Sequence, residues 1–268
     1  MNMKVDLCGV TLNNPVMTAS GTFGSGAEYA EFVDLNKLGA VVTKGVANVP
    51  WPGNPTPRVA EVYGGMLNAV GLQNPGIDLF VERDIPFLKQ FDTKIIVNVC
   101  GHSTEEYIEV VERLRDQPVD LLEINISCPN VKEGGIAFGQ DPKAVEAITK
   151  EMKKHAAQPV IMKLSPNVTD ITEMARAAEA GGADGLSLIN TITGMKIDIN
   201  RQKFVLANKT GGMSGPAIHP VAVRMVYQTA QAVRLPIVGM GGIMNAEDAI
   251  EMILAGATAV SVGTANFT

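Results

Sequence analysis

The feature that most constrains the fold is a strict alternation of eight short apolar runs with seven amphipathic segments. Short continuous apolar runs indicate strands buried on both faces, and apolar residues spaced at i, i+3 and i+4 indicate helices. Eight parallel strands in about 250 residues match an α/β fold of the (β/α)8 TIM-barrel type better than an open doubly wound sheet. The runs lie at 16–20, 41–44, 95–99, 121–126, 160–164, 185–189, 236–240 and 258–262, and the helical segments near 27–38, 77–90, 103–116, 141–156, 170–180, 219–233 and 245–255.

The helix starts carry recognisable capping signals. Ser103 with Glu106 forms a capping-box pattern, and Asp170 and Asn245 each precede an amphipathic segment. A dinucleotide-binding sheet should instead open its first helix with G-x-G-x-x-G, and the GTFGSG sequence at 21–26 has the wrong spacing. Because no linker or composition shift divides the alternation, we predict one domain over residues 1–268.

Three segments lie outside the simple repeat. KVDLCGVTL at 4–12 predicts a hairpin that turns at Cys8–Gly9 and plugs the bottom of the barrel. The connections at 45–76 and 191–218 are long and rich in Gly, Pro and Asn, which is uncommon unless such loops are functional. Both follow strands, so we expect long inserted loops at the C-terminal face. An eighth helix would need a dozen or more residues after the last strand, so we expect the final helix to be missing.

Composition excludes several functional classes. Hydrophobic residues make up 46% and charged residues 19%, which suits a sizeable core. The net charge of −6 with no basic stretch argues against nucleic acid and anionic membranes as partners. No apolar run approaches the roughly 18 residues of a membrane helix, and the N-terminus lacks an export signal. The three cysteines, Cys8, Cys100 and Cys128, have neither disulfide nor zinc spacing, so we expect a cytoplasmic globule.

Every apolar run ends in polar or glycine residues. Barrel active sites are built where the strands end, at the C-terminal face. A preference for polar residues at this one end of all eight runs therefore predicts a single convergent pocket. The residues at these ends are Ser20, Lys44, Asn98, Asn125, Lys163, Asn190, Thr191, Gly241, Gly242, Gly263 and Thr264.

Two details of these ends suggest the kind of ligand. GMGG at 239–242 and VGT at 262–264 follow the last two strands, where barrels often bind phosphate through backbone amides, although tight turns would also explain the glycines. Lys44 and Lys163 each close an apolar run, and burying an unpaired ammonium is costly, although a lysine can also extend to the rim. Together they favour an anionic, amide-rich, planar ligand with a phosphate tail.

Cys128 is the candidate catalytic base or nucleophile. It follows the fourth run in EINISCPNV, where the adjacent proline stiffens the turn. Neighbouring cations would favour its thiolate, but a cysteine can equally be a small buried apolar residue. Cys100, also past a strand end, is its competitor, and the three histidines show no triad or metal-ligand spacing.

Taken together, the motifs resemble the dihydroorotate dehydrogenase family over nearly the whole chain. The cysteine in SCPN is typical of class 1, and the motifs at 64–76 and 190–198 are similar to those of the B-type, NAD-linked catalytic subunit. The motifs are ASGTFG (19–24), TKGV (43–46), GNPTPRVAE (53–61), GGMLNAVGLQNPG (64–76), NISCPNV (125–131), NTITGMKID (190–198), GGMSGPAIHP (211–220) and GMGGI (239–243).

The resemblance implies a flavoprotein barrel with FMN at its C-terminal face, acting in pyrimidine biosynthesis. Cys128 would remove the C5 proton of (S)-dihydroorotate while hydride leaves C6 for the flavin, and Lys163 would stabilise negative charge on the reduced ring. The implied FMN contacts are Ser20, Lys44, Gly45, Asn98, Asn125, Lys163, Ile189 and Gly215, with Gly241, Gly242, Gly263 and Thr264 around the phosphate. The implied dihydroorotate contacts are Lys44, Asn68, Ala69, Val70, Gly71, Leu72, Asn125, Asn190 and Thr191.

The family also implies partners. B-type enzymes pass electrons to NAD through a second subunit that carries FAD and a [2Fe–2S] cluster, in a heterotetramer built on a homodimer of catalytic chains. The absence of a dinucleotide fingerprint and of a four-cysteine set in this sequence fits that division. Two alternatives stay open: another FMN barrel oxidoreductase acting on a pyrimidine-like amide, and a non-catalytic barrel that binds a phosphate ligand.

Overall fold

The computed structural model describes residues 2–127 and 138–267, and its centre is a closed barrel of eight parallel strands. All eight predicted runs lie on barrel strands, so the (β/α)8 prediction is confirmed. In chain order the strands are β1 (Val5–Leu7), β2 (Val10–Leu12), β3 (Val16–Thr18), β4 (Ala40–Val42), β5 (Val59–Val62), β6 (Gly65–Asn68), β7 (Lys94–Val99), β8 (Leu121–Asn125), β9 (Val160–Lys163), β10 (Gly185–Leu188), β11 (Ile192–Met195), β12 (Ile197–Asp198), β13 (Lys203–Phe204), β14 (Thr210–Ser214), β15 (Ile237–Met240) and β16 (Ala259–Val262).

The barrel closes between its first and last parallel strands. Around the barrel the order is β3, β4, β7, β8, β9, β10, β15 and β16, and β16 then pairs with β3 through Val260 opposite Val16 and Val262 opposite Thr18. This consecutive order is the one that right-handed βαβ units produce. After β16 the chain forms a 3₁₀ turn over Thr264–Phe267.

Helices separate most of the barrel strands. The three predicted caps are present: the side chains of Ser103, Asp170 and Asn245 accept hydrogen bonds from the amides of Glu106, Thr172 and Asp248. In the described ranges, no helix is both long and apolar enough to cross a membrane. The helices are α1 (Ile77–Leu79), α2 (Ile85–Leu88), α3 (Thr104–Leu114), α4 (Pro142–His155), α5 (Ile171–Ala180), α6 (His219–Ala232) and α7 (Ala246–Leu254).

Two predicted helices differ in the structure. The segment 27–38 forms turns and a 3₁₀ helix over Leu35–Lys37, so the prediction of a helix there is wrong. The reason is Asp34, whose side chain accepts the Asn36 amide and starts a new turn in the middle of the segment. The helix predicted at 77–90 runs from α1 through a π-helical stretch, Phe80–Asp84, into α2. Pro86 has no amide hydrogen, which interrupts the regular i→i−4 ladder at this point.

The N-terminal hairpin closes the bottom of the barrel, as predicted. β1 and β2 pair antiparallel around a turn at Cys8–Gly9, with Leu7 opposite Val10. Leu7 and Leu12 are fully buried and belong to one apolar cluster with inward side chains of the barrel strands. Burying these side chains seals the end of the barrel opposite the strand ends that carry the polar residues.

The two long connections combine into one structure. β5 and β6 come from the first connection, β11 and β14 from the second, and the four strands form an antiparallel sheet in the order β11, β14, β6, β5. The central pair aligns Asn68 with Gly212 and Met66 with Ser214. This cap sheet, as we call it, covers the C-terminal face of the barrel.

The Cys8 thiol makes the fold sensitive to alkaline pH. Its Sγ donates to the carbonyl oxygen of Asp184 at 3.3 Å. Burial, and secondarily the negative charge of Asp184, raises the pKa of Cys8 from 9.0 to about 12. Because the unfolded thiol loses its proton first, the stabilisation is present below about pH 9 and is lost between about pH 9 and pH 12.

We therefore expect Cys8→Ala to flatten the alkaline decline in stability. Urea unfolding at about pH 8 and about pH 10.5 should show a smaller loss of unfolding free energy in the variant than in the parent chain. The same loss in both proteins would mean that Cys8 does not contribute to the decline.

Candidate functional site

A deep cleft opens at the C-terminal face, between the barrel strand ends and the cap sheet. Residues of both the barrel and the cap sheet line it, and the mouth of a barrel is a common place for a small-molecule or cofactor site. Apolar side chains such as Val59, Met66 and Met240 form part of its lining. The predicted residues that line it are Ser20, Lys44, Asn68, Val70, Gly71, Leu72, Asn125, Lys163, Ile189, Asn190, Thr191, Gly241, Gly242, Gly263 and Thr264.

The remaining predicted residues lie elsewhere. Asn98 is fully buried below the cleft, and Gly45 packs beside it, where an added Cβ would be 3.1 Å from the Asn98 side chain. Ala69 is fully buried. Gly215 lies behind Gly242, and a Cβ added at Gly242 would be 2.7 Å from the Gly215 carbonyl oxygen. Cys128 falls outside the described residues.

A buried ion pair forms the floor of the cleft. Lys163, at the end of β9, and Glu123, on β8, are 5% and 2% exposed, with Nζ and Oε2 3.7 Å apart. The Lys163 ammonium also donates to Ser20 Oγ at 3.3 Å. The two Glu123 oxygens accept from Asn98 Nδ2 at 2.5 Å and from Ser187 Oγ at 2.7 Å. A buried cation is therefore held against the cleft by a carboxylate placed deeper in the barrel.

Amide side chains form one wall. Asn125 Nδ2 donates to Asn98 Oδ1 at 3.4 Å, and Asn125 Oδ1 accepts from Ser127 Oγ at 2.9 Å. Asn190 Nδ2 in turn donates to Ser127 Oγ at 2.7 Å, and Asn190 Oδ1 accepts the Thr191 amide at 2.7 Å. The wall can offer N–H donors to carbonyl and carboxylate groups of a ligand.

The opposite end of the cleft is rich in glycine. Gly241 and Gly242 follow β15 with φ of +129° and +70°, and Gly263 follows β16. Thr264 Oγ1 donates to Ser214 Oγ at 2.7 Å, which joins this end to the cap sheet. Backbone amides without side chains suit a phosphate or another oxyanion.

The two glycine turns should differ in their tolerance of a side chain. Gly242→Ala would hold alanine at positive φ and press its Cβ against the Gly215 carbonyl, so we expect a loss of about 1–3 kcal/mol of unfolding free energy. Gly263→Ala is the control, because its Cβ would meet only Ala19, at 3.5 Å, and should cost less than about 0.5 kcal/mol. Urea denaturation of both variants checks this, and equal losses would contradict it.

Sequence reasoning missed the polar residues inside the strands. Glu123 lies within the apolar run LLEINI, and Ser187 lies within β10. Ser127 follows β8 and is fully buried. The available signal was the charge itself: a glutamate inside a run buried on both faces needs a partner, and Lys163 is the partner on the next strand.

Comparison with known proteins agrees with this architecture. The family model described as dihydroorotate dehydrogenase matches residues 2–268. A crystal structure of DHODH in complex with ferulenol from Eimeria tenella superimposes with a TM-score of 0.82 at 23% identity, covering 99% of this chain and 80% of that one. At this identity the likeness supports the fold alone.

Curated relatives are much closer in sequence. Each is named dihydroorotate dehydrogenase B (NAD(+)), catalytic subunit. The protein from Lachnoclostridium phytofermentans is 76% identical over 267 residues, covering 100% of this chain and 89% of the relative. Those from Alkaliphilus metalliredigens and Geobacter sulfurreducens are 69% and 58% identical, covering 100% and 99% of this chain and 88% of each relative. The chain therefore belongs to the dihydroorotate dehydrogenase family of oxidoreductases, and the resemblance to its B-type, NAD-linked catalytic subunits is confirmed.

Proposed function

We propose that this chain oxidises (S)-dihydroorotate to orotate with bound FMN, as a step of pyrimidine biosynthesis. The observation that carries the proposal is the convergence of two lysines, a row of amides and a glycine-rich end in one cleft. The names of the high-identity relatives support the same substrate. We further propose that residues 1–268 form one FMN-binding domain.

The cleft fits FMN on three counts. Gly241, Gly242 and Gly263 present backbone without side chains at the end where a phosphate would lie, and Thr264 adds a hydroxyl. Ile189 and Met240 supply apolar surface for a flat ring. Lys163 and Ser20 supply polar contacts at the floor. FMN, when bound, supplies a two-electron acceptor for the substrate.

The substrate would lie between the floor and the cap sheet. Dihydroorotate is a small ring with a carboxylate and ring carbonyls, so it calls for cations and N–H donors. Lys44 supplies a cation and Asn125 and Asn190 supply amide donors, while Asn68 and the stretch 70–72 contribute from the connection that forms β6. Because these groups come from separate strands and from the cap sheet, they would contact the ring from several sides and fix its orientation.

Oxidation also requires removal of a proton from C5, a carbon next to a carbonyl. A positioned base is needed for this step, and we assign it to Cys128 on the strength of the SCPN motif. The ammonium of Lys163 would stabilise the negative charge that develops on the acceptor as the substrate is oxidised.

The electrons would then leave through a partner. We infer an electron-transfer subunit that carries FAD and a [2Fe–2S] cluster and passes electrons to NAD+, bound to a homodimer of this chain in a cytoplasmic heterotetramer. The support is the name "catalytic subunit" shared by the relatives, together with a sequence that has three cysteines and no dinucleotide fingerprint.

The test is anaerobic. The purified chain is loaded with FMN and mixed with dihydroorotate while the flavin absorbance is followed. Bleaching with formation of one orotate per flavin supports the proposal. A bound flavin that stays oxidised favours an oxidoreductase for another pyrimidine-like amide, and failure to bind FMN favours a barrel that binds a different phosphate ligand.

A further inference from the structure

The buried carboxylate of Glu123 is not explained by barrel packing alone. It lies on β8 below the cleft, and within the part of the chain that the structure describes its polar neighbours are Asn98, Ser187 and Lys163. Removing a carboxylate from water is costly unless it is paired and hydrogen-bonded, and these neighbours supply that pairing.

Above Glu123, four hydrogen bonds between described side chains run in one direction and form a hydrogen-bond chain. Asn190 donates to Ser127, Ser127 to Asn125, Asn125 to Asn98, and Asn98 to Glu123. An ionised carboxylate can only accept, so the Asn98 amide must direct its NH2 group downward and its oxygen toward Asn125. The same constraint passes along these hydrogen bonds to the cleft wall. There it fixes which amide atoms are hydrogen-bonded within the protein and which N–H groups face a ligand.

Glu123 also sets the charge beneath the cleft. With Lys163 and Glu123 both ionised, the floor carries a neutral pair rather than an isolated cation. An unbalanced ammonium at this position would favour the negatively charged, reduced form of a flavin above it more strongly than the balanced pair does.

We propose that Glu123 is a positioning residue that acts on the reaction in two ways: it anchors the one-way hydrogen-bond chain that orients Asn125 and Asn190, and it balances the charge of Lys163 under the flavin. The proposal rests on the proposed function, because it assumes FMN and an orotate-like ligand in this cleft. The two actions reach the ligands through different neighbours, so they can be separated experimentally.

Glu123→Gln tests the charge. Its amide oxygen can still accept from Asn98, and its NH2 can donate to Ser187, whose hydroxyl rotates. We expect orotate affinity within about threefold of the parent holoenzyme and a flavin midpoint potential shifted to a more positive value. Glu123→Asp, which keeps the charge, should hold the potential near that of the parent.

Ser127→Ala tests the hydrogen-bond chain from Asn190 to Glu123. It removes the hydroxyl between Asn125 and Asn190 without touching the ion pair. We expect orotate to bind about tenfold more weakly, measured by its perturbation of the flavin spectrum, with an unchanged midpoint potential. The control is Asp84→Asn, which alters a buried carboxylate in the outer helical layer, paired with Arg83, and should change neither quantity.

The outcomes are distinguishable. A parent holoenzyme that neither binds orotate nor is reduced by dihydroorotate refutes the proposed function itself. A parent that does both, with an unchanged potential in Glu123→Gln or unchanged orotate affinity in Ser127→Ala, overturns the inference alone. If Glu123→Gln fails to fold, Glu123→Gln/Lys163→Met should fold because both charges are gone, and its flavin midpoint potential should stay near that of the parent because both floors are neutral. A clearly shifted potential in that double variant would overturn the charge balance.

Discussion

Cys128→Ala is expected to keep FMN and orotate bound but to slow the reduction of flavin by dihydroorotate about 10²–10⁴-fold. This is the contribution that a positioned base makes to proton transfer from a substrate. The measurement is anaerobic stopped-flow absorbance of the loaded enzyme. In the parent enzyme the reduction rate should rise with pH as the thiolate forms, since an ordinary cysteine has a pKa near 8.5.

The matched control is Cys100→Ala. Cys100 is fully buried, and its Sγ lies 3.3 Å from where a Gly45 side chain would begin. We expect this variant to retain most of the reduction rate. Loss of reduction in Cys100→Ala, with normal reduction in Cys128→Ala, would assign the base to Cys100 instead.

Lys163→Met is expected to lower the free energy of unfolding by about 3–5 kcal/mol and to weaken FMN binding. The substitution keeps the side-chain volume but removes the cation 3.7 Å from the Glu123 carboxylate, which is then buried without it. Breaking a buried ion pair from one side has a cost of this order. Urea unfolding of the FMN-free chain gives the first quantity, and fluorescence titration with FMN gives the second.

Removing both charges should restore much of the stability. In Glu123→Gln/Lys163→Met no charge is left in the floor, and the Gln can still accept from Asn98. The FMN affinity should remain low, because the ammonium is still absent. A Lys163→Met chain as stable as the parent would show that the pair is not coupled in the folded protein.

Most of the fold was predictable from the sequence, because barrel strands are buried on both faces and therefore appear as continuous apolar runs. The capping residues were also predictable, since each accepts a hydrogen bond from an amide only two or three positions away. They are Ser103, Asp170 and Asn245. The segment 27–38 failed for the same local reason, because Asp34 caps a turn inside it. The pairing of β6 with β14 could not be predicted from the sequence, since it joins residues more than 140 positions apart, in loops without an alternating apolar pattern.

The sequence predicted the strand-end residues that line the cleft, but it did not predict the buried polar residues below the cleft. Strand ends such as Lys44 and Asn190 reach the cleft because all parallel strands end at the same face. Asn98 also ends a strand, but its side chain is directed below the cleft, toward Glu123. Which side chains lie below the ligand depends on the inward or outward register of each strand, and an apolar run does not display that register.

The cap sheet has a consequence for redesigning substrate choice. The cleft residues Met66 and Asn68 lie on β6, which is hydrogen-bonded to β14 of the other connection. Replacing residues 59–68 with the matching segment of another barrel would therefore pair the grafted strand, which comes from a different protein, with this protein's own β14 at 210–214. The two connections form a single exchangeable unit in space although they are distant in sequence, and successful loop grafts should be those that transplant both together while leaving the barrel below untouched.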